Sequence, residues 1–133
     1  MVQFAYNLDY EPAMPVCEVI VAVSDHHVTL PAIIDTGADA SLIPLSHLQK
    51  IGARRAFESG LRSQWGERCV IFLYLVDVRI GDVALPGVYV VGDDIGHEVI
   101  LGRDVLNRLR LLLDGPAAMA QLLESSVPRH ARG

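Results

Sequence analysis

The sequence predicts a single, mainly-β domain with one or two short helices. Three observations carry this expectation. The chain has 133 residues, the length of one domain. Apolar residues gather in β-branched runs punctuated by Gly, Pro, Asp and Asn. Helix start and stop signals surround only two short stretches, 44–50 and 103–108.

Taken in order, Val2, Phe4, Tyr6 and Leu8 alternate with Gln3, Ala5 and Asn7, the period of two of a half-buried strand. Residues 16–23 form a fairly continuous β-rich run, and Ser24 to His27 reads as a hairpin turn. The next strand spans 28–34, and Pro31, which has no N–H to donate, predicts an edge or a bulge there. Pro44 starts a short helix through Lys50, with Gly52 as its stop. A strand over 54–58 leads into a polar, glycine-flanked excursion, 59–67, and then into a long strand, 68–80. Gly81-Asp82 is a turn, and the strand over 83–91 is broken by Pro86-Gly87. A loop over 92–97 precedes a short strand, 98–101, that ends at Gly102. Residues 103–108 form a short helix with Val105, Leu106 and Leu109 on its apolar face. A last strand at 111–113 is closed by Asp114-Gly115-Pro116. The domain is expected over 1–115. Residues 116–133 are expected to be a tail with a helical turn or two, partly disordered.

Composition narrows the function. Hydrophobic residues make up 51% of the chain, so the core is large or a partner covers apolar surface. The net charge of -5 provides no basic footprint for nucleic acid. No apolar run reaches the ~18 residues of a membrane helix, so no membrane partner is expected. The N-terminus has no basic region and no continuous apolar segment, so it does not read as a secretory signal. Cys17 and Cys69 lack metal-ligand spacing and read as reduced core thiols, which points to a cytoplasmic protein. The five histidines are scattered or lie in a turn, so no metal site is expected. Ser41, Ser46 and His47 are near one another but lack a third partner, which argues against nucleophilic serine chemistry.

The chemistry concentrates in Ile33-Ile34-Asp35-Thr36-Gly37-Ala38-Asp39-Ala40. An aspartate at the end of an apolar strand either caps a turn or acts on a substrate. The strand before it reads as buried on both sides, and buried carboxylates are rare unless paired or functional. A related pattern recurs late in the chain. There Val99-Ile100-Leu101-Gly102 leads into Arg103-Asp104 and a helix.

These two motifs, Asp35-Thr36-Gly37-Ala38-Asp39 after two apolar residues and Ile100-Leu101-Gly102-Arg103-Asp104-Val105-Leu106 near the C-terminus, resemble those of retroviral-type (retropepsin-like) aspartic proteases. The resemblance spans roughly residues 16–114. It implies a closed acid-protease barrel and a homodimer. It also implies an aspartic endopeptidase acting on a peptide or protein substrate without a cofactor. Aspartic proteolysis needs two carboxylates that share one proton, one to activate water and one to donate to the scissile carbonyl. With one Asp-Thr-Gly per chain, Asp35 must meet its own copy across a two-fold axis. Activity is then expected to peak at acidic pH, where the dyad holds one proton.

The resemblance implies further roles. The Thr36 hydroxyl would bond across the dimer, and Gly37 would allow close backbone approach. Ala38 and Asp39 would bind peptide as an added strand. Asp39 would pair with Arg103, two charges that would cost several kcal/mol if buried apart. Residues 59–67 occupy the position of the flap, with Gly60 and Gly66 for mobility and Trp65 available to substrate. Val99 and Ile100 match pocket-wall positions, with core packing as the alternative. Two other readings stay open: a catalytically weak or inactive dimeric peptide-binding module of the same fold, and a monomeric structural domain whose Asp35 only caps a turn.

Overall fold

The computed structural model describes residues 2–62 and 68–123. The elements run β1 (Val2–Ala5), β2 (Val16–Val23), β3 (His26–Ile34), β4 (Leu42–Pro44), α1 (Leu45–Lys50), β5 (Arg55–Arg62), β6 (Arg68–Ile80), β7 (Val83–Asp93), β8 (Val99–Leu101), α2 (Arg103–Leu106), β9 (Leu111–Asp114) and β10 (Met119–Leu122). Among the described residues strand accounts for 57% and helix for 9%, so the mainly-β expectation holds.

The larger sheet has the order β2-β3-β8-β4-β7-β6-β5. A further pairing of β2 with β6, Ile20 opposite Arg79 through Ala22 opposite Asp77, closes six of these strands into a barrel. Closure gives each of those six strands a partner on both sides along at least part of its length. Only β5 hangs outside, paired to β6 alone. Alternation along the strands supplies the interior. In β2, Cys17, Val19 and Val21 point inward, and in β3 Leu30, Ala32 and Ile34 do. Val76, Val78, Ile80, Val88 and Val90 fill the opposite wall. Each fully buried Val, Leu or Ile contributes ~1.5–3 kcal/mol of transfer free energy.

Local chemistry shapes the joints. Asp77 and the Pro86-Gly87 pair make a bulge, because Val76 faces Val88 while Val78 faces Leu85. The extra residue sits on β7, where Gly87 adopts φ +68° and donates its N–H to Asp77 Oδ1 at 3.0 Å. The break expected at Pro86-Gly87 is therefore a kink within one continuous strand. The α1 helix ends as its sequence predicts. Gly52 takes φ +75°, its N–H bonds Gln49 O and the Ala53 N–H bonds Leu48 O, a Schellman closure.

Several expectations need correction. His26 and His27 are the first residues of β3, paired with Val23 and Ala22, so the turn is shorter than the Ser24–His27 reading. Pro31 sits in unbroken register opposite Glu18, so there is no bulge, and the edge alternative holds instead, since the pairing of β3 with β8 begins only at Ala32. β5 is longer than the expected 54–58 strand, and the helix at 103–108 is a single turn. The helical turn expected after Ala117 is instead a strand. β10 lies between β1 and β9 in a separate antiparallel sheet. Its Ala120 and Leu122 are almost fully buried against the barrel, and packing outweighed the alanine-rich local signal. Gly81, at φ +58°, allows that sheet to approach, since a Cβ there would lie 2.9 Å from Leu122 Cδ2. Among the described residues no helix is long and apolar enough to cross a membrane.

Cys17 is buried in the barrel, and burial pushes its thiol up to about 12 from 9.0. The unfolded chain loses this proton near pH 9 while the folded chain keeps it. The thiol's contribution is therefore intact below pH 9 and is lost as pH rises towards 12. Urea unfolding at pH 8 and pH 10 should show the wild type losing roughly 1 kcal/mol more than Cys17→Val over that interval.

Candidate active site

The buried Ile34 ends β3 in parallel register with Leu101 of β8. The pairing continues one step further, with the Asp35 N–H bonded to Leu101 O at 3.0 Å. The chain then turns. The Gly37 N–H donates to Asp35 Oδ1 at 2.9 Å, and the Ala38 N–H donates to Asp35 O at 3.2 Å. Asp35 thus orders its own turn while remaining half-buried, with Thr36 and Gly37 exposed on the outside of the chain. Its surroundings are more open than the apolar run before it predicts, because β3 alternates inward and outward rather than burying both faces.

A clamp from the late motif holds this turn. Gly102 lies so close that a Cβ would come within 2.7 Å of Ala40 C and O and 2.8 Å of Ala38 O. The Arg103 N–H bonds Ala38 O at 2.8 Å. Ser41, 1% exposed, is the one buried polar residue among those described. Its Oγ accepts the Gly102 N–H at 3.0 Å and donates to Asp104 Oδ1 at 2.8 Å. Asp104 also receives the Ser41 N–H through Oδ2 at 3.1 Å and the Val105 N–H through Oδ1 at 2.9 Å. One carboxylate therefore joins the end of the Asp35 turn to the first turn of α2. The Val91 N–H bonds Ser41 O at 2.9 Å and ties the same point to β7.

Arg103 reaches back over the turn. One Nη donates to Thr36 O at 2.7 Å and the other pairs with the Asp39 carboxylate. The pair is not buried, however. The two side chains are 43% and 88% exposed, so no large desolvation cost arises. At that exposure its net worth is ~0–1 kcal/mol. Its role is orientation, since a planar guanidinium joins Thr36 and Asp39 at two points.

Beside the turn lies a cleft of about 630 Å³. Gly37, Ala38, Asp39 and Ala40 form one side. Val70, Ile71 and Phe72 of the β5–β6 hairpin form another. Tyr74, Val91 and Ile95 add apolar surface, with Asp93 and Asp94 at the margin. Gly92 makes room for the Tyr74 ring, whose Cε1 would be 2.5 Å from a Cβ at that position.

A family model described as gag-polyprotein putative aspartyl protease matches residues 20–108, which include both motifs. The chain belongs to this family. Among solved structures, EIAV protease complexed with the inhibitor HBY-793 is 25% identical, with a TM-score of 0.56 over 79% of this chain and 93% of the viral one. A retropepsin-like aspartic protease from Rickettsia conorii is 17% identical, with a TM-score of 0.59 over 90% and 86%, a likeness of fold. No curated protein matches in sequence. The fold is the closed retropepsin-like barrel of this family.

Within this family framework, the structure brings Asp35, Thr36, Gly37, Ala38, Asp39 and Arg103 into one cluster. Gly60 lies in β5 opposite Val70, on the hairpin that walls the cleft. Trp65 and Gly66 fall outside the described residues. Val99 is 3% exposed and belongs to the core, and Ile100 pairs with Ile33 and Leu42. Neither is among the residues lining the cleft. Among the described residues no group of His, Cys, Asp or Glu could hold a metal ion.

Sequence reasoning missed Ser41 and Asp104 as partners. The available signal was a serine directly before Leu42-Ile43-Pro44, and an acid in the first turn of a helix after a glycine. Neither names the other across 63 residues. Ser41→Ala should destabilise the chain by about 1–3 kcal/mol in urea unfolding, since it strands the buried Gly102 N–H and part of Asp104. Gly102→Ala should cost at least as much, because its neighbours are backbone and no rotamer relieves the contact.

Proposed function

We propose that the chain is an aspartic endopeptidase active as a homodimer, with Asp35 of each subunit forming the dyad. The single observation that carries the reading is the Asp35 turn itself. It is clamped from behind by Gly102, Ser41 and Asp104, open at its outer face, and set beside an apolar cleft. A purely structural turn needs no such cleft. Family membership supports the same reading.

In this reading the two carboxylates share one proton, because like charges a few Å apart do not both ionise cheaply. The ionised one takes a proton from water, which attacks the scissile carbonyl carbon. The protonated one donates to the carbonyl oxygen; the first then passes its new proton to the amide nitrogen while a hydroxyl of the tetrahedral diol returns a proton to the second, and the C–N bond breaks to release the amine and a carboxylic acid. The backbone of Asp39 binds the peptide as an added strand, and Ala38, whose N–H and C=O are already held by Asp35 O and the Arg103 N–H, lines the cleft beside it. The β5–β6 hairpin acts as the flap, since its β6 arm already walls the cleft. Thr36 bonds across the dimer, and Arg103 steadies its carbonyl from behind. The chemistry requires no cofactor.

The test is cleavage of a mixed peptide library from acidic to neutral pH, with sedimentation of the same samples. The wild type should sediment as a dimer and cleave best at acidic pH. Asp35→Asn should remain folded and lose about 10²- to 10⁴-fold in rate. Unchanged cleavage in that variant would refute the dyad. An intact dimer that cleaves nothing would instead indicate a peptide-binding module.

A further inference from the structure

The cleft beside the Asp35 turn is apolar along its walls and acidic at its margin. Leu42, Leu45, Phe72 and Tyr74 supply carbon surface, while the charged residues that line it, Asp39, Asp93 and Asp94, are all acids. Two arginines touch lining residues, but neither lines the cleft itself. Arg103 is committed to Thr36 and Asp39. Arg55 lies over the Phe72 ring, 4.2 Å from its centroid.

The three acids are not equivalent. Asp39 is paired with Arg103. Asp93 shapes its own loop, because its Oδ1 accepts the N–H groups of Ile95 and Gly96, each at 3.0 Å. Gly96 is required for this turn, since a Cβ there would collide with Asp93 Oδ2. Asp94, between these fixed points, is exposed, and among the described residues it has no hydrogen-bond or ion-pair partner. It also lines a neighbouring groove of about 470 Å³, on whose other side stand Ser46, His47 and His97. A turn held by Asp93 thus presents a free carboxylate where the cleft opens outward.

One kind of side chain matches both features. Lysine and arginine lay an apolar stem along carbon surface and carry their charge at the tip. A leucine or phenylalanine would use the walls alone, and a glutamate would meet three acids. The Phe72 ring already carries one guanidinium, the attraction of an aromatic face for a cation.

We propose that Asp94 is a specificity-determining residue, selecting a lysine or arginine of the substrate at one fixed distance from the scissile bond. The stem lies along the apolar wall and the cationic tip stands at Asp94. The proposal rests on the endopeptidase reading and names a substrate class for it. The selection is modest in size, as befits an exposed ion pair, and it weakens with salt.

Cleavage of a peptide library by the full chain tests it. Each position around an apolar cleavage site carries lysine, arginine, norleucine or glutamate in turn, norleucine having a lysine-like stem without the charge. At one position lysine should exceed norleucine about threefold and glutamate about tenfold in kcat/KM, with the margin shrinking at high salt. Asp94→Asn should bring lysine level with norleucine, and Asp94→Lys should make glutamate the preferred residue. Asp93→Asn should keep the lysine preference, because its amide oxygen still accepts both N–H groups. Cleavage without a lysine preference, or with one that Asp94→Asn leaves intact, would overturn the proposal while the endopeptidase reading stands. An equal lysine gain at every position would report only the net charge of -5 and likewise overturn it. If the wild type cleaves nothing, the same peptides carrying a fluorophore are titrated by anisotropy. A lysine preference in binding that Asp94→Lys reverses would remove the endopeptidase reading and leave the selection by Asp94 in place. No such preference in binding would remove both.

Discussion

The contact on which the site depends is the approach of Gly102 to the backbone of Ala38 and Ala40. It is closer than any side chain would allow. It places the Ser41 hydroxyl against the Gly102 N–H, and Asp104 behind the hydroxyl. These groups are polar and Ser41 is buried, so each must be satisfied by the others. The result is a turn whose position is set from behind. Asp35 gains a fixed place without being enclosed, as the proposed reaction requires.

The barrel explains why two distant segments can meet there. β8 lies between β3 and β4, so the strand before the late glycine runs beside both arms of the Asp35 turn. Parallel pairing with β3 brings both chains to the same end together. Closure by β2 and β6 then fixes the end as a whole. β6 also continues past the barrel, where it pairs with β5 and lines the cleft. One strand is therefore part of the core at Val76 and Val78 and part of the cleft at Val70 to Phe72.

Charge and packing divide the work at the site. The Arg103–Asp39 pair is exposed and contributes little to stability, yet it spans the turn at two points. The Ser41–Asp104 pair is less exposed and anchors three backbone N–H groups. The residues that drew notice in the sequence, Asp39 and Arg103, orient the turn. The residues that hold it in place were the quieter ones.

Much was determined by the sequence alone. Alternation of apolar residues and the placing of glycine and proline defined the long strands, the Gly52 helix stop and the Gly81 turn, because these are local effects of backbone sterics and burial. The two short motifs pointed to Asp35 and its late partner segment. What only the tertiary structure decided were the long-range matters. Residues 119–122 became a strand because two neighbouring strands and the barrel wall were available to them. Val99 went to the core, where packing around β8 claimed it. Arg103 and Asp39 stayed near the surface, because the turn stands outside the barrel. Ser41 found Asp104 only when β3 and β8 aligned. A local pattern can announce a strand or a turn, but which residues share a buried hydrogen bond depends on closure of the whole barrel.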